Sequence, residues 1–218
     1  KFQKQRNADG MLVRAKTKME AKDYGPAGQL FANYISLRPE DSEQYIHLAS
    51  CLREQVKVAQ ANGTLNARTF QRAYATIEEA LRKNPDSLEL RESAVEFAMQ
   101  FGRFSDAISH LDVLLTSGGD SEKQGEFRTQ LALCYARSGQ DDKSLVELCK
   151  LTGFDRVTRT FDESKALAPK NIMAYQILAS LASARLRDDE SARVIMDRMV
   201  ELNPENYEAY LSRAGFLT

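Results

Sequence analysis

Apolar residues along the chain recur at steps of three and four with charged and amide side chains between them, the spacing of one buried stripe on an α-helix. Phe70, Ala73 and Ile77 form one such stripe, Phe104, Ala107 and Leu111 another, and Ala192, Met196 and Met199 a third. Shorter versions run through Tyr24, Ala27 and Phe31 and through Gly139, Ser144 and Leu148. The pattern predicts helices over roughly 7–22, 25–37, 42–61, 66–83, 87–101, 104–116, 121–138, 141–151, 171–186, 189–202 and 206–217, and no sheet.

The stripes are punctuated by a recurring phrase. Pro39, Pro85, Pro169 and Pro204 each stop a helix that proline cannot continue. Two places later stand Asp41, Ser87, Asn171 and Asn206, residues whose side-chain oxygens cap helix N-termini. Six places after each proline come Tyr45, Arg91, Tyr175 and Tyr210, followed by small residues where helices approach closely: Ala49, Ala179 and Ala214, with Val95 a looser fit. One copy lacks its proline. Counting 34 residues from Pro85 reaches Gly119, and Ser121 with Gln124 offers a capping box just beyond it.

Two stretches exceed the period. Between Leu52 and Phe70 the excess is about 12 residues, read as extended helices meeting at a turn around Asn62 and Gly63. Between Gly139 and Pro169 it is about 13, including GFDRVTRTFDESKALAP. Alternating Val157 and Thr158, flanking Asp and Arg, and distance from any apolar stripe predict an irregular loop there. Long ordered loops in repeat arrays carry function or are tolerated surface insertions, and both readings stay open.

These residues resemble the tetratricopeptide repeat (TPR) family and its 34-residue signature. Tyr45, Leu48, Ala49 and Leu52 match the first half of that signature, and Ala73, Ile77, Ala80 and Pro85 the second. Tyr175, Leu178 and Ala179, with Ala192, Met196, Met199 and Pro204, make another match. The resemblance covers nearly the whole chain. It implies an all-α fold, a right-handed superhelical α-solenoid in one array, with repeats near 8–40, 41–86, 87–120, 121–170 and 171–205 and another starting at 206–218. The absence of an initial Met and the ending in mid-pattern read as a fragment of a longer multi-repeat protein. The stretch running into NIMAYQILASLA is similar to segments of long bacterial TPR proteins.

Composition narrows function by exclusion. The 218 residues are 43% hydrophobic and 28% charged, enough for a substantial core, with a net charge of -1 that supplies no field for gathering nucleic acid or anionic lipid. The basic opening KFQKQR reads as a solvated helix end, with a binding site as the alternative, and no apolar run reaches the length of a membrane span. Cys51, Cys134 and Cys149 form no CxxC pair and read as small buried hydrophobes in a reducing, cytoplasmic-type compartment. His47 and Cys51 lie four apart on one helix, half of a zinc site at most, against the plainer reading of a partly buried His and a core Cys. Nucleotide-binding, nucleophile-elbow and zinc-protease motifs are absent. The expectation is a non-catalytic protein without a cofactor.

What remains is surface. In TPR proteins the first helix of each pair lines a concave groove, so the resemblance implies groove positions at Glu43, Ile46, Ser50 and Arg53, then Glu89, Glu92, Glu96 and Met99. They continue at Glu126, Thr129, Leu133 and Ala136, and at Met173, Gln176, Ser180 and Ser183. Leu12, Lys16, His47, Glu89 and Ser93 occupy the places where the family's carboxylate clamp uses Lys, Asn and Arg, which argues against a clamp. Glu89, Glu92 and Glu96 share a helical face, with Glu126 on the next repeat. The stripe either receives basic side chains of a partner or is a solvated acidic face. The leading function is a protein-interaction scaffold holding a peptide or protein in the groove or by the 152–169 loop. The alternatives are a structural segment that pairs with identical chains and an accessory module of an enzyme.

Overall fold

The computed structural model describes residues 2–118 and 120–216. Among the described residues eleven α-helices follow one another: α1 (Phe2–Glu20), α2 (Tyr24–Leu37), α3 (Glu43–Ala61), α4 (Ala67–Lys83), α5 (Leu88–Gln100) and α6 (Phe104–Thr116). After them come α7 (Ser121–Arg137), α8 (Asp141–Thr152), α9 (Ile172–Ala184), α10 (Asp189–Leu202) and α11 (Tyr207–Phe216). The fold is all-α, of the α-solenoid class, because each amphipathic helix buries its stripe mainly against the helices next to it in sequence.

The chain divides after Ala98 into two compact units. In the first, α2 packs between α1 and α3, and α4 packs on α3. Phe31, Cys51, Ala73, Ile77 and Phe97 fill its core, with the Phe70 and Phe97 rings 4.8 Å apart. In the second, α6 to α11 stack in chain order around Leu148, Leu151, Tyr175, Leu178, Ile195 and Met199, all fully buried or nearly so.

The proline phrase has a structural meaning at every copy. The amide two places after each proline donates to the carbonyl one place before it: Asp41 to Arg38, Ser87 to Asn84, Asn171 to Ala168 and Asn206 to Asn203, at 3.0 to 3.2 Å. These are tight turns with proline at the second position, where its fixed φ is already correct. The residue six places on then reaches back to the proline carbonyl. Tyr45, Tyr175 and Tyr210 donate through their hydroxyls to Pro39, Pro169 and Pro204 at 3.4, 3.1 and 3.1 Å, and Arg91 donates from Nη2 to Pro85 at 2.6 Å. An arginine in this position does the work of a tyrosine.

Caps follow the expectation in part. Asn171 accepts from the amide of Ala174 at 3.0 Å, Ser87 from Leu90 at 3.4 Å and Asn206 from Glu208 at 2.9 Å. Asp41 does not cap: its carboxylate instead accepts from the Tyr34 hydroxyl at 2.8 Å and from Gln44 Nε2 at 3.3 Å. At α7 the cap is Asp120, which accepts from the amide of Lys123 at 2.8 Å, so the box expected from Ser121 and Gln124 starts one residue too late. Gly119 lies outside the described residues. The turn at Asn62 and Gly63 is present, with Gly63 at φ +66°.

The expectation of no sheet and an irregular loop over the insertion is corrected. Phe154–Asp155 pairs antiparallel with Thr160–Phe161, and a 3-10 turn follows over Glu163–Lys165. The missed signal is the pair of phenylalanines: Phe154 is buried, and Phe161 stacks between it and Tyr175 at 5.0 and 6.0 Å. The segment leaves α8 and returns to the same place. Gly153 donates to Cys149, and the amides of Leu167 and Ala168 donate to Lys150 and Leu151, so the open carbonyls of the α8 C-terminus are satisfied by the insertion itself. Gly153 is obligatory there. Its φ is +73°, and a Cβ would stand 2.3 Å from the Asp162 carbonyl oxygen.

Ala49 and Ala179 sit in helix contacts at 2% and 0% exposure. Replacing either by leucine overpacks its layer and costs about 1–3 kcal/mol in urea unfolding; midpoints unchanged in both variants would contradict the register described here.

Candidate functional site

Each unit presents its own surface built from first helices of the hairpins. In the first unit the centre is Arg53 on α3. Its Nη1 donates to Ser93 Oγ on α5 at 2.9 Å, its Nη2 lies 3.7 Å from Glu89, and its Nε lies 3.5 Å from Glu54. Ser50 donates to Glu89 at 3.4 Å. Arg53, Ser50 and Glu89, chosen as separate groove positions, are therefore one polar cluster linking α3 to α5. Glu89 is exposed, whereas Ile46, Glu92 and Glu96 are half-buried. The acidic face thus carries a built-in counter-charge at its Glu89 end, which weakens its field there.

In the second unit the groove positions Leu133 and Ala136 on α7 and Gln176 and Ser180 on α9 converge on one recess of about 310 Å³. Ile177 and Leu181 add apolar wall, and Arg137 and Arg185 stand among its lining residues. Gln176 is held in place by donating from Nε2 to Ser212 Oγ on α11 at 2.6 Å. Arg185 has a loose partner in Asp141 at 3.6 Å. The recess is an apolar slot with cations beside it. Sequence reasoning missed both arginines, although Arg137 lies four residues beyond Leu133 and so shares its helical face.

The other predicted positions lie elsewhere. Glu126 lines a separate hollow of about 420 Å³ with Glu122 on α7 and Lys170 and Asn171 beyond the insertion. Thr129 is buried, donating to the Gly125 carbonyl and accepting from Asn171 Nδ2 at 2.9 Å. Met99, at the start of the second unit, is half-buried, Met173 is exposed, and Ser183 donates to Asp189 at 2.6 Å. His47 stacks on Phe31 with ring centroids 5.3 Å apart, while Cys51 faces the core, where burial pushes its thiol up to about 11. Among the described residues no group of three His, Cys, Asp or Glu is placed to hold a metal ion, and no helix is long and apolar enough to cross a membrane.

No family model matches the sequence, and no curated protein matches it. The fold has clear counterparts among solved structures. MamA, residues 41 to the end, from Desulfovibrio magneticus RS-1 is 15% identical, with a TM-score of 0.63 over 92% of this chain and 97% of that one. YrrB, described as a TPR protein with an unusual peptide-binding site, is 15% identical with a TM-score of 0.65 over 94% and 90%. A tetratricopeptide repeat protein from Parabacteroides merdae ATCC 43184 is 13% identical with a TM-score of 0.65 over 97% and 72%. At these identities the likeness is one of fold, and the fold is of the TPR type.

The α7–α8 hairpin that carries one wall of the recess is pinned by Glu147. Its carboxylate accepts from Arg128 at 2.8 Å and from Lys150 at 2.7 Å. Burial acts to raise its pKa, but the bonds from Lys150 and Arg128 outweigh burial and hold the carboxyl below the usual carboxylate range. Its folded-state value is thus depressed from an unfolded value of about 4.3. The contribution is full above that pH and is lost as the pH falls through the folded value. Glu147→Gln should cost about 1–3 kcal/mol at neutral pH. Its urea midpoint should approach that of the wild-type chain in increasingly acid solution; a gap that stays constant down to acid pH would show that the ion pairs contribute nothing.

Proposed function

From the TPR-type fold we propose that this chain is a non-catalytic protein-interaction scaffold, and that the α7–α9 recess seats a side chain of an extended peptide or protein segment. The observation that carries this reading is the recess itself. Four positions selected from sequence as partner-facing line one apolar slot, which Gln176 borders with a fixed amide. Folding leaves these apolar atoms at the surface, where burial against a partner is worth about 25 cal/mol per Å² before the costs of association. Arg137 and Arg185 favour a partner with acidic groups flanking its apolar anchor at this slot. In the first unit, Glu92 and Glu96 would favour basic groups, with Arg53 already occupying Glu89. Both surfaces belong to one function, the holding of a polypeptide, and they differ in the charge they select.

The test uses a dodecapeptide selected from a random display library against the intact chain and labelled for fluorescence anisotropy. Ser180 is exposed, so Ser180→Trp fills the slot without entering the core. It should weaken the peptide roughly tenfold or more, a loss of about 1.4 kcal/mol or greater, with the unfolding midpoint unchanged. Glu92→Lys with Glu96→Lys should flatten the salt dependence of any selected peptide that is basic. Equal affinity for wild-type chain, Ser180→Trp and the double charge reversal would remove the proposal.

A further inference from the structure

The insertion between α8 and α9 builds a second recess, on different faces from the α7–α9 slot. It has a volume of about 450 Å³, within the range of ordinary ligand sites. Leu145 of α8 and Leu178 and Ala182 of α9 supply apolar wall, and the hairpin adds Phe154, Val157 and Arg156. The hairpin is held firmly. Arg159 at its turn pairs with Asp188 at 3.3 Å and with Glu190, and Arg198 of α10 pairs with Glu163 and lies over the Phe161 ring at 5.9 Å. Three ion pairs, the Arg198 contact with the Phe161 ring and the Phe161–Tyr175 ring contact thus fix the insertion against α9 and α10, so this side of the recess is preformed.

Its tip is built differently from its base. Val157 is 92% exposed although it lines the recess, and the backbone amides of Val157 and Thr158 are held by the Asp155 carboxylate at 2.8 and 3.0 Å. An apolar side chain is therefore presented to solvent on a hydrogen-bonded backbone turn. Beside it, Arg156 makes no ion pair or hydrogen bond among the described residues, while Arg159 three residues on is fully engaged. The acid of the recess, Asp188, is already satisfied by Arg159 and by the Ser191 amide and hydroxyl at 3.1 and 2.7 Å. The net unmatched charge is thus positive, and it sits at the edge of an apolar wall.

We infer that this insertion-built recess is a docking site for an internal segment of a partner protein in which a large apolar residue is followed or preceded by Asp or Glu. The apolar side chain enters against Leu145, Leu178 and Val157, and the carboxylate pairs with Arg156. Charge complementarity at Arg156 selects an acidic flank, and a basic segment would meet an unmatched like charge. The site rests on the reading of the chain as an interaction scaffold but not on the α7–α9 slot, with which it shares no lining residue.

The experiment titrates the intact chain, with leucine and valine methyls labelled for NMR, with the capped peptide Ac-Ser-Ala-Leu-Glu-Phe-Glu-Ala-Ser-NH2. Saturable shifts are expected at the methyls of Leu145, Val157, Leu178 and Leu186. The same peptide with both Glu replaced by Gln should bind roughly threefold to tenfold more weakly, and Arg156→Glu should produce the same loss. Ser180→Trp should leave the titration unchanged, which separates this site from the slot. Arg156 is exposed and Gly153, Arg159 and Arg198 are untouched, so Arg156→Glu should retain the wild-type unfolding midpoint. Absence of saturable shifts at these methyls at millimolar peptide, equal binding of the Gln peptide, or shifts confined to Leu133 and Leu181 of the slot would each overturn the inference.

Discussion

A proline carbonyl taken up by the residue six places downstream is the constraint on which this architecture depends. Proline ends a helix and leaves a carbonyl with no successor in the ladder, and a chain that turned there freely would let the next hairpin rotate. The turn bond fixes the backbone of the phrase, and the side chain at the end of the first turn of the next helix fixes that helix relative to the turn. Each of these bonds is modest, about 1 kcal/mol. Their effect lies in orientation, since the apolar stripes interdigitate only when each hairpin leaves its turn at the correct angle. Lateral bonds reinforce this, with Asn84 reaching from one phrase to the Ser42 carbonyl of the phrase before, at 2.7 Å.

The same reasoning explains how the repeat survives its insertion. A segment that began at the end of α8 and rejoined the chain elsewhere would displace α9. This one returns its amides to the carbonyls of Lys150 and Leu151, so the turn at Pro169 begins beside the C-terminus of α8. Phe154 and Phe161 bury themselves on Tyr175, whose hydroxyl makes the turn tie, and thereby join the insertion to the orienting bond of the next repeat. The addition is therefore part of the stack at its root and a free surface at its tip.

Helices and their order were legible in the sequence because a period of three and four residues and a recurring proline are local signals. The reason for Tyr45, Arg91, Tyr175 and Tyr210 was not, because the proline carbonyl they bind is a backbone atom that leaves no mark in composition. The insertion was misread as irregular, since a two-residue ladder is too short to show alternation. Left-handed residues close the turns inside the hairpins at Gly63, which reads from sequence as a turn, at Gly139, which reads as part of a helical stripe, and at Lys22 and Arg187, which give no signal. At the candidate sites, Leu133, Ala136, Gln176 and Ser180 were found through the first-helix register. Arg137 was legible by its spacing from Leu133 and was missed, whereas the tie of Arg53 to Glu89 and the place of Arg185 were invisible, because pairing between helices depends on packing distance and not on spacing within one helix.

If turn ties and self-closing loops make the stack, the insertion and its two flanking helices must open together and not one at a time. Native-state hydrogen exchange resolved by peptide measures this directly. The account predicts that α8, the hairpin amides of Asp162 and Ala168, and α9 share one opening free energy and respond equally to denaturant. Exchange of Asp162 and Ala168 at the rate of a free loop, with α8 and α9 protected independently of each other, would contradict it.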